Sequence, residues 1–424
     1  MSQSARGLFA YPAMRLGFSV LPGASSASTH PLPPLSDDSF LDQIQRASFL
    51  FFWEQASPTT GLVKDRALAA GSDTRTTASI AGTGFGLTAL CIGHKRNYAD
   101  AAQIQARVTQ TLSFLLNQLP QVNGFFFHFV DMNTWARVWE CELSSIDTTL
   151  LLCGVLTCRQ YFQDTQIQSL ATQIYNRVNW PWMLNGGSAF SMGWTPEGGF
   201  LNSRWDHYCE LLMLYLLAIG SSTKPVPPST WDAFSRPKLT YAGLTYITDR
   251  VAPLFIHQYS HAWFDFRNKR DKYTNYFDNS ITATQAHRLF CVSLRSHFKD
   301  YLPNLWGITS SDSANGYTAW GGPPLMGDID GSIVPCAAAG SLPFAPADCM
   351  AVLRTIYSQY PQAWQRYGFV DAFDPLTNWY DPDVIAIDAG ITMLMAENQR
   401  SGFVWNTFMK NPEVQNAFAA VGLK

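Results

Sequence analysis

Polar and apolar positions along the chain follow two helical patterns. In Ser39–Glu54, Tyr98–Gln118, Asp164–Asn179 and the stretch from Asn411, apolar residues recur at three- and four-residue spacing and leave a polar face. Other segments are apolar nearly all round, the mark of a buried helix: Ala78–Gly93, the run from Ser144 to about Tyr161, Tyr208–Ile219 and Gly390–Gln399. Further helices are expected at Tyr241–Phe255, from Ser280 to about His297, and at Ala345–Tyr360. Ser144 with Asp147, and Ser203 with Asp206, have the spacing of a capping box, predicting helix starts at both places. Period-2 strand patterns are few.

The helices are joined alternately by short turns and long decorated loops. These loops are 57–77, the aromatic stretch GFFFHFVDMNTWARVWECE, the segment before residue 279, and the Gly-rich segment from Gly307 to Pro335. Long loops in a compact domain are usually functional. An outer ring of amphipathic helices around an inner ring of apolar ones is an all-α toroid, and six hairpins, an (α/α)6 barrel, fit the length. Inner helices of such a ring all run the same way, so the loops before them share one rim. On this reading Glu142, Glu210 and Asp388 meet at a single mouth.

Composition narrows the function. The 424 residues are 47% hydrophobic and only 14% charged, with net charge −3, enough for one large core spanning 38–424. Lys269-Arg270 is the longest basic run, which excludes a nucleic-acid footprint, and no segment reaches the roughly 18 apolar residues of a membrane span. A monomer acting on a saccharide is expected. The eight cysteines form no CxxC pair and lie mostly in apolar patterns, so free thiols are expected rather than zinc or disulfides. Residues 1–37 are Ser/Ala/Pro-rich and set apart from the fold. Arg6, Arg15 and LGFSVLPGASSAS resemble a short signal peptide, which would make the protein periplasmic or secreted; otherwise it is cytoplasmic.

Candidate chemistry rests on carboxylates among the 14 Trp, 17 Tyr and 28 Phe. Glu210 interrupts an otherwise apolar helix, where burial raises a carboxyl pKa toward what a general acid needs. It is equally readable as a structural carboxylate bonded to a Tyr, Trp or Arg. Glu142 precedes an inner helix, and Asp388 opens one, as a catalyst or an N-cap. Asp147 is accounted for by Ser144, Asp206 by Ser203, and Asp330 by its turn before Gly331. Asp371, Asp374, Asp381 and Asp383 are read mainly as turn residues. Paired carboxylates beside aromatic platforms are what glycosidic cleavage requires: one protonates the leaving oxygen while the other activates water or attacks carbon. His257, His261 and His287 lack metal-ligand spacing, and there is no GxSxG, P-loop or helix-opening GxGxxG.

Eight segments in order, among them TGLVKDRA (60–67), ELSSIDTTLLLCGVL (142–156), WDHYCELLMLYLLAIGS (205–221), WGITSSDSANGY (306–317), YGFVDAFDP (367–375) and IDAGITMLMAENQRSGFVW (387–405), carry a resemblance. They are similar to the bacterial glycoamylase-like family that includes the endo-β-1,2-glucanases, glycoside hydrolase family 144. The resemblance spans about nine-tenths of the chain and implies an (α/α)6 barrel. It also implies metal- and cofactor-free, inverting, endo-acting hydrolysis of β-1,2-glucan to short sophoro-oligosaccharides. By the same resemblance, Glu210 is the general acid, Asp388 the general base and Glu142 an essential subsite carboxylate. Trp139, Trp194, Trp205, Tyr317, Trp320 and Trp379 are stacking candidates. Asp147, Arg66 and Arg204 are candidates for sugar hydroxyls, the two arginines alternatively pairing with Asp65 and Asp206. Exo release of sophorose, transglycosylation, another β-glucan, and non-catalytic glucan binding are the alternatives.

Overall fold

The computed structural model describes residues 35–424. The signal-like segment with Arg6 and Arg15 lies outside the described residues. The fold is mainly helical. Its helices are α1 (Asp37–Glu54), α2 (Ile80–Arg96), α3 (Ala101–Asn117), α4 (Ser145–Tyr161), α5 (Thr165–Asn176), α6 (Trp180–Leu184) and α7 (Leu212–Ile219). They continue as α8 (Tyr259–Trp263), α9 (Tyr276–Ser293), α10 (Pro335–Ala339), α11 (Pro346–Gln359), α12 (Ala386–Ser401), α13 (Phe403–Phe408) and α14 (Pro412–Val421). No described helix is long and apolar enough to cross a membrane.

The two helical patterns become two environments. α2 is buried from Ile80 to Gly93 and α4 from Ser145 to Arg159, and every residue of α7, α8 and α10 is buried. α3 and α5 bury one stripe each, Ile104, Val108, Leu112 and Leu115 on the first and Ile167, Ala171 and Ile174 on the second. The small residues of α2 permit close approach to α4. A Cβ on Gly84 would stand 2.3 Å from the Leu150 carbonyl oxygen, and one on Gly154 2.1 Å from that of Gly84. Only hydrogen fits at either place.

Short antiparallel pairs brace the loops in front of the inner helices. Thr77–Ser79, leading into α2, pairs with Phe129–Asp131 (Ser79 opposite Phe129). Leu143–Ser144, leading into α4, pairs with Gly193–Thr195, and Asp383–Ile385, leading into α12, pairs with Arg66–Leu68. Ser79 and Ser144 then cap α2 and α4, accepting from the Gly82 and Asp147 amides. The expected helix start at Ser144 is there, but only half of the capping box forms: Ser144 Oγ accepts from the Asp147 amide, while the Asp147 carboxylate takes the serine hydroxyl rather than a backbone amide.

Two expected helices differ. Tyr241–Phe255 is instead largely a hairpin, Lys238–Tyr241 against Leu244–Ile247, followed by a short 3-10 turn at Leu254–His257. Ala242 and Gly243 both have positive φ (48° and 81°), the turn that matches strand twist, and the flanking Thr and Tyr residues favour strand. The Ser203–Asp206 capping box does not form, because that backbone is spent elsewhere. The Trp205 amide donates to the Phe190 carbonyl, that of Tyr208 to Ser235 and that of Ser235 to Asp206. α7 starts only at Leu212, so Glu210 stands in the turn before it, and Asp206 is exposed beside His207. All eight cysteines are free thiols, six of them buried.

Candidate active site

The turns before α4, α7 and α12, with the first turns of those helices, carry ionisable side chains whose charges reach one another: that of Asp147 acts on Glu210, and those of Glu210 and Asp388 act on Tyr259. Burial raises the Tyr259 phenol well above its usual range, and Asp388, Tyr317 and Glu210 all add to that through their charge. Tyr259, at the start of α8, therefore faces carboxylates from both α12 and the α7 turn. Ser260 donates to the Glu210 carbonyl at 2.6 Å, tying that turn to α8.

On one side, His128 bridges two carboxylates. Its Nδ1 is 3.1 Å from Glu142 and its Nε2 3.3 Å from Asp147. Burial disfavours charge on the imidazole, but Asp147 and Glu142 outweigh it and push the pKa up to about 9. Burial likewise opposes charge on Glu142, yet the His128 hydrogen bond holds it below its usual value. Asp147 goes the other way: burial raises it despite His128. Glu142 is thus held ionised, and Asp147, in the first turn of α4, accepts from the Ser144 cap's hydroxyl and faces His128.

Glu210 is half-buried. Burial pushes its pKa up to about 7, with a smaller push from Asp147. A carboxyl with that pKa is a proton donor near neutrality.

Asp388 sits in the first turn of α12, where Ile385 rather than Asp388 is the N-cap. It accepts from Cys336 Sγ at 3.1 Å and lines one small cavity with Asp371. Burial raises it to about 6, while Asp371, Cys336 and the charge of Arg66 act to lower it. Asp371 is raised well above the carboxylate range, by burial first and then by Asp388, Asp312 and Asp381. Arg66 joins Asp65 at 2.9 Å and Asp312 at 2.5 Å, as half of its expected pairing anticipated. Arg204 instead donates to the carbonyls of Leu184 and Ala189, clamping that loop.

The aromatic candidates divide. Trp139 is 54% exposed, and Trp194, Tyr317 and Trp379 are half-buried. Trp205 and Trp320 are buried, their indole N–H groups donating to Ser145 and Ser311. Asp330 and Asp374 shape turns, as expected, accepting from the Ser332 and Leu376 amides.

Sequence reading passed over His128, Tyr259 and Cys336, and took Asp371 for a turn residue. A lone histidine within GFFFHFV was a usable signal, since an ionisable ring in an apolar run needs a partner. Tyr259 and Cys336 carry no comparable mark.

One ligand atom each from His128, Glu142 and Asp147, and from Asp312, Asp371 and Asp381, lie within 4.8 Å of one another, a spacing a cation would accept. The chemistry assigns them otherwise. The imidazolium of His128 already serves as the cation in the first group. In the second, Arg66 neutralises Asp312, and the Asp312 amide occupies Asp371 Oδ2 at 2.7 Å.

The model of the Glycoamylase family, described as "Putative glucoamylase", matches residues 202–412. The chain is 28% identical to an endo-β-1,2-glucanase from Chitinophaga pinensis, solved with sophorotriose and glucose, with TM-score 0.86, covering 92% of this chain and 99% of that one. It is 30% identical to a "putative glucoamylase" from Bacteroides caccae, with TM-score 0.86, covering 92% of this chain and 100% of that one. It is 27% identical to an exo β-1,2-glucooligosaccharide sophorohydrolase (non-reducing end) of Parabacteroides distasonis, over 93% of this chain. The chain spans 59% of that relative's length.

Proposed function

The chain belongs to the glycoamylase family, and on that premise we propose that it is a glycoside hydrolase cleaving β-1,2-glucan internally, with inversion, to short sophoro-oligosaccharides. One observation carries the reading: the turn before α7 and the first turn of α12 bring two carboxyls, Glu210 and Asp388, within reach of the same phenol, Tyr259. Burial raises both, Glu210 to about 7 and Asp388 to about 6, so that the proton favours Glu210. Of two carboxyls at one site, the one that keeps its proton is the acid and the other the base. Glu210 protonates the departing glycosidic oxygen, and Asp388 takes a proton from the water that attacks the anomeric carbon from the opposite face. Glu142, kept ionised by His128, binds sugar hydroxyls, as do Asp147 and Arg66. Trp139, Trp194, Tyr317 and Trp379 supply ring faces.

The fold supporting this is read as an (α/α)6 barrel, with α2, α4, α7, α8, α10 and α12 inside. Contacts join α2 to α4, α4 to α7, α10 to α12 and α12 to α2. Hydrogen bonds link α7 to α8 (Met213 amide to Ser260 Oγ, 3.1 Å) and α8 to α10 (Gln258 to the Ala337 carbonyl, 2.8 Å).

Exo release of sophorose is the second reading, favoured by the Parabacteroides relative. Endo action is put first on the likeness to the Chitinophaga enzyme, at 28% identity and TM-score 0.86. Product analysis of the purified protein on linear β-1,2-glucan, beside starch and β-1,3-glucan, tests both. A ladder of short sophoro-oligosaccharides is expected from the first substrate alone. Sophorose as the sole early product would transfer the assignment to exo action, and no cleavage of β-1,2-glucan would overturn it.

A further inference from the structure

At the start of α12 two buried carboxyls line one small cavity, and each has an oxygen with no donor. Asp371 and Asp388 are 3% and 6% exposed, share that cavity with Cys336, and act on each other's charge. One oxygen of each is engaged: Asp371 Oδ2 accepts from the Asp312 amide at 2.7 Å, and Asp388 Oδ1 from Cys336 Sγ at 3.1 Å. Asp371 Oδ1 and Asp388 Oδ2 remain buried without a partner. An ionised carboxylate only accepts hydrogen bonds, and two side by side inside a protein repel. One of the pair must carry a proton between them.

The surroundings decide which. Asp371 faces Asp388, Asp312 and Asp381, all acidic. Asp388 faces Asp312 too, but also Arg66 in the 66–68 strand, Cys336 on α10 and Tyr259 on α8. Positive charge and a donor thiol therefore favour the anion on Asp388, and the proton settles on Asp371.

Resting on the assignment of Asp388 as base, we propose that Asp371 is a positioning residue that stays protonated, donating from Oδ1 to Asp388 Oδ2 to orient the base and keep it ionised. In turnover the proton of the attacking water passes to Asp388 as its oxygen bonds to the anomeric carbon. The glycosidic bond breaks with the proton of Glu210 going to the leaving oxygen, and Asp371 keeps its own proton throughout.

A neutral donor is what asparagine imitates. In Asp371→Asn the amide N–H can donate to Asp388 Oδ2 while the amide oxygen still accepts from Asp312. Asp371→Ala removes both bonds. The experiment is the pH profile of kcat and kcat/KM on linear β-1,2-glucan for wild type, D371N, D371A and D388N, with folding checked by circular dichroism. D371N is expected within about fivefold of wild type, with its acid limb unmoved. Losing a donor to a charged group should move the acid limb of D371A upward by about one pH unit. A folded D371N as inactive as D388N would mean that Asp371 works as an anion and would overturn the proposal, as would an unmoved limb in D371A. Infrared difference spectra at pH 7 give a readout independent of turnover. The protonated-carboxyl carbonyl absorption of wild type should lose one component in D371N, those of Glu210 and Asp381 remaining, and an unchanged absorption refutes the protonated Asp371 even if D371A fails to fold. A wild type that leaves β-1,2-glucan intact would sink the functional assignment alone, with the infrared result still locating the proton.

Discussion

Replacing Glu210 by Gln keeps the shape of the side chain and removes the proton it delivers. With the pKa raised from 4.5 to about 7, about nine in ten molecules carry the proton at pH 6, against about three in a hundred at the unshifted value. General acid catalysis contributes on the order of 10²- to 10⁴-fold, so E210Q should lose that much in kcat on β-1,2-glucan. The alkaline limb near pH 7 should vanish with it. A dinitrophenolate leaving group needs no proton, so 2,4-dinitrophenyl β-sophoroside should be turned over by E210Q within about tenfold of wild type. Stability gives a second readout. A carboxyl whose folded pKa is raised destabilises the fold as pH climbs from about 4.5 through about 7, by at most about 3 kcal/mol for this shift. E210Q should therefore melt with wild type at pH 4 and above it at pH 8. Equal losses on the glucan and the activated substrate, or an alkaline limb that survives the substitution, would remove Glu210 from the acid's role.

His128, raised to about 9, stabilises the fold fully below about pH 6.5 and loses that effect as pH rises through about 9. The melting temperature of H128Q should fall furthest below wild type at pH 6 and converge with it by pH 10. Trp139→Ala, at a 54% exposed position, should raise KM for glucan several-fold with an unchanged melting temperature. Trp205→Phe removes the buried bond to Ser145 and should do the reverse, costing about 1–2 kcal/mol with KM unmoved. Gly154→Ala puts a methyl 2.1 Å from the Gly84 carbonyl oxygen; the urea midpoint should drop by the equivalent of about 1–3 kcal/mol.

Which helices would be buried was written in the chain, because an all-apolar surface has nowhere else to go. The segments 80–93, 145–159 and 212–219 needed no tertiary information for that. Glu142 before such a segment and Asp388 at the start of one were legible for the same reason, whereas Glu210 reads as lying within its helix and stands in the turn before it. The hairpin at 238–247 was readable from Ala-Gly between strand formers, but residues 241–247 also suit a helical spacing with those that follow. The start of α7 was not readable. Ser203 and Asp206 have cap spacing, but their backbone pairs with residues 190 and 235, and such non-local bonds leave no local mark.

Candidate carboxyls could therefore be picked from the sequence, whereas their protonation was decided by the tertiary structure. Asp371 reads as one aspartate among five in a turn-rich stretch. It becomes a proton holder only when α12, the Asp312 loop and residue 381 crowd it with acids that dry surroundings cannot screen. Likewise His128, 14 residues before Glu142, becomes a cation only once folding sets Asp147 on its other nitrogen. Sequence pattern encodes what must leave water; charge state depends on which groups then meet at a few ångströms, and that is set by the packing of elements far apart in the chain.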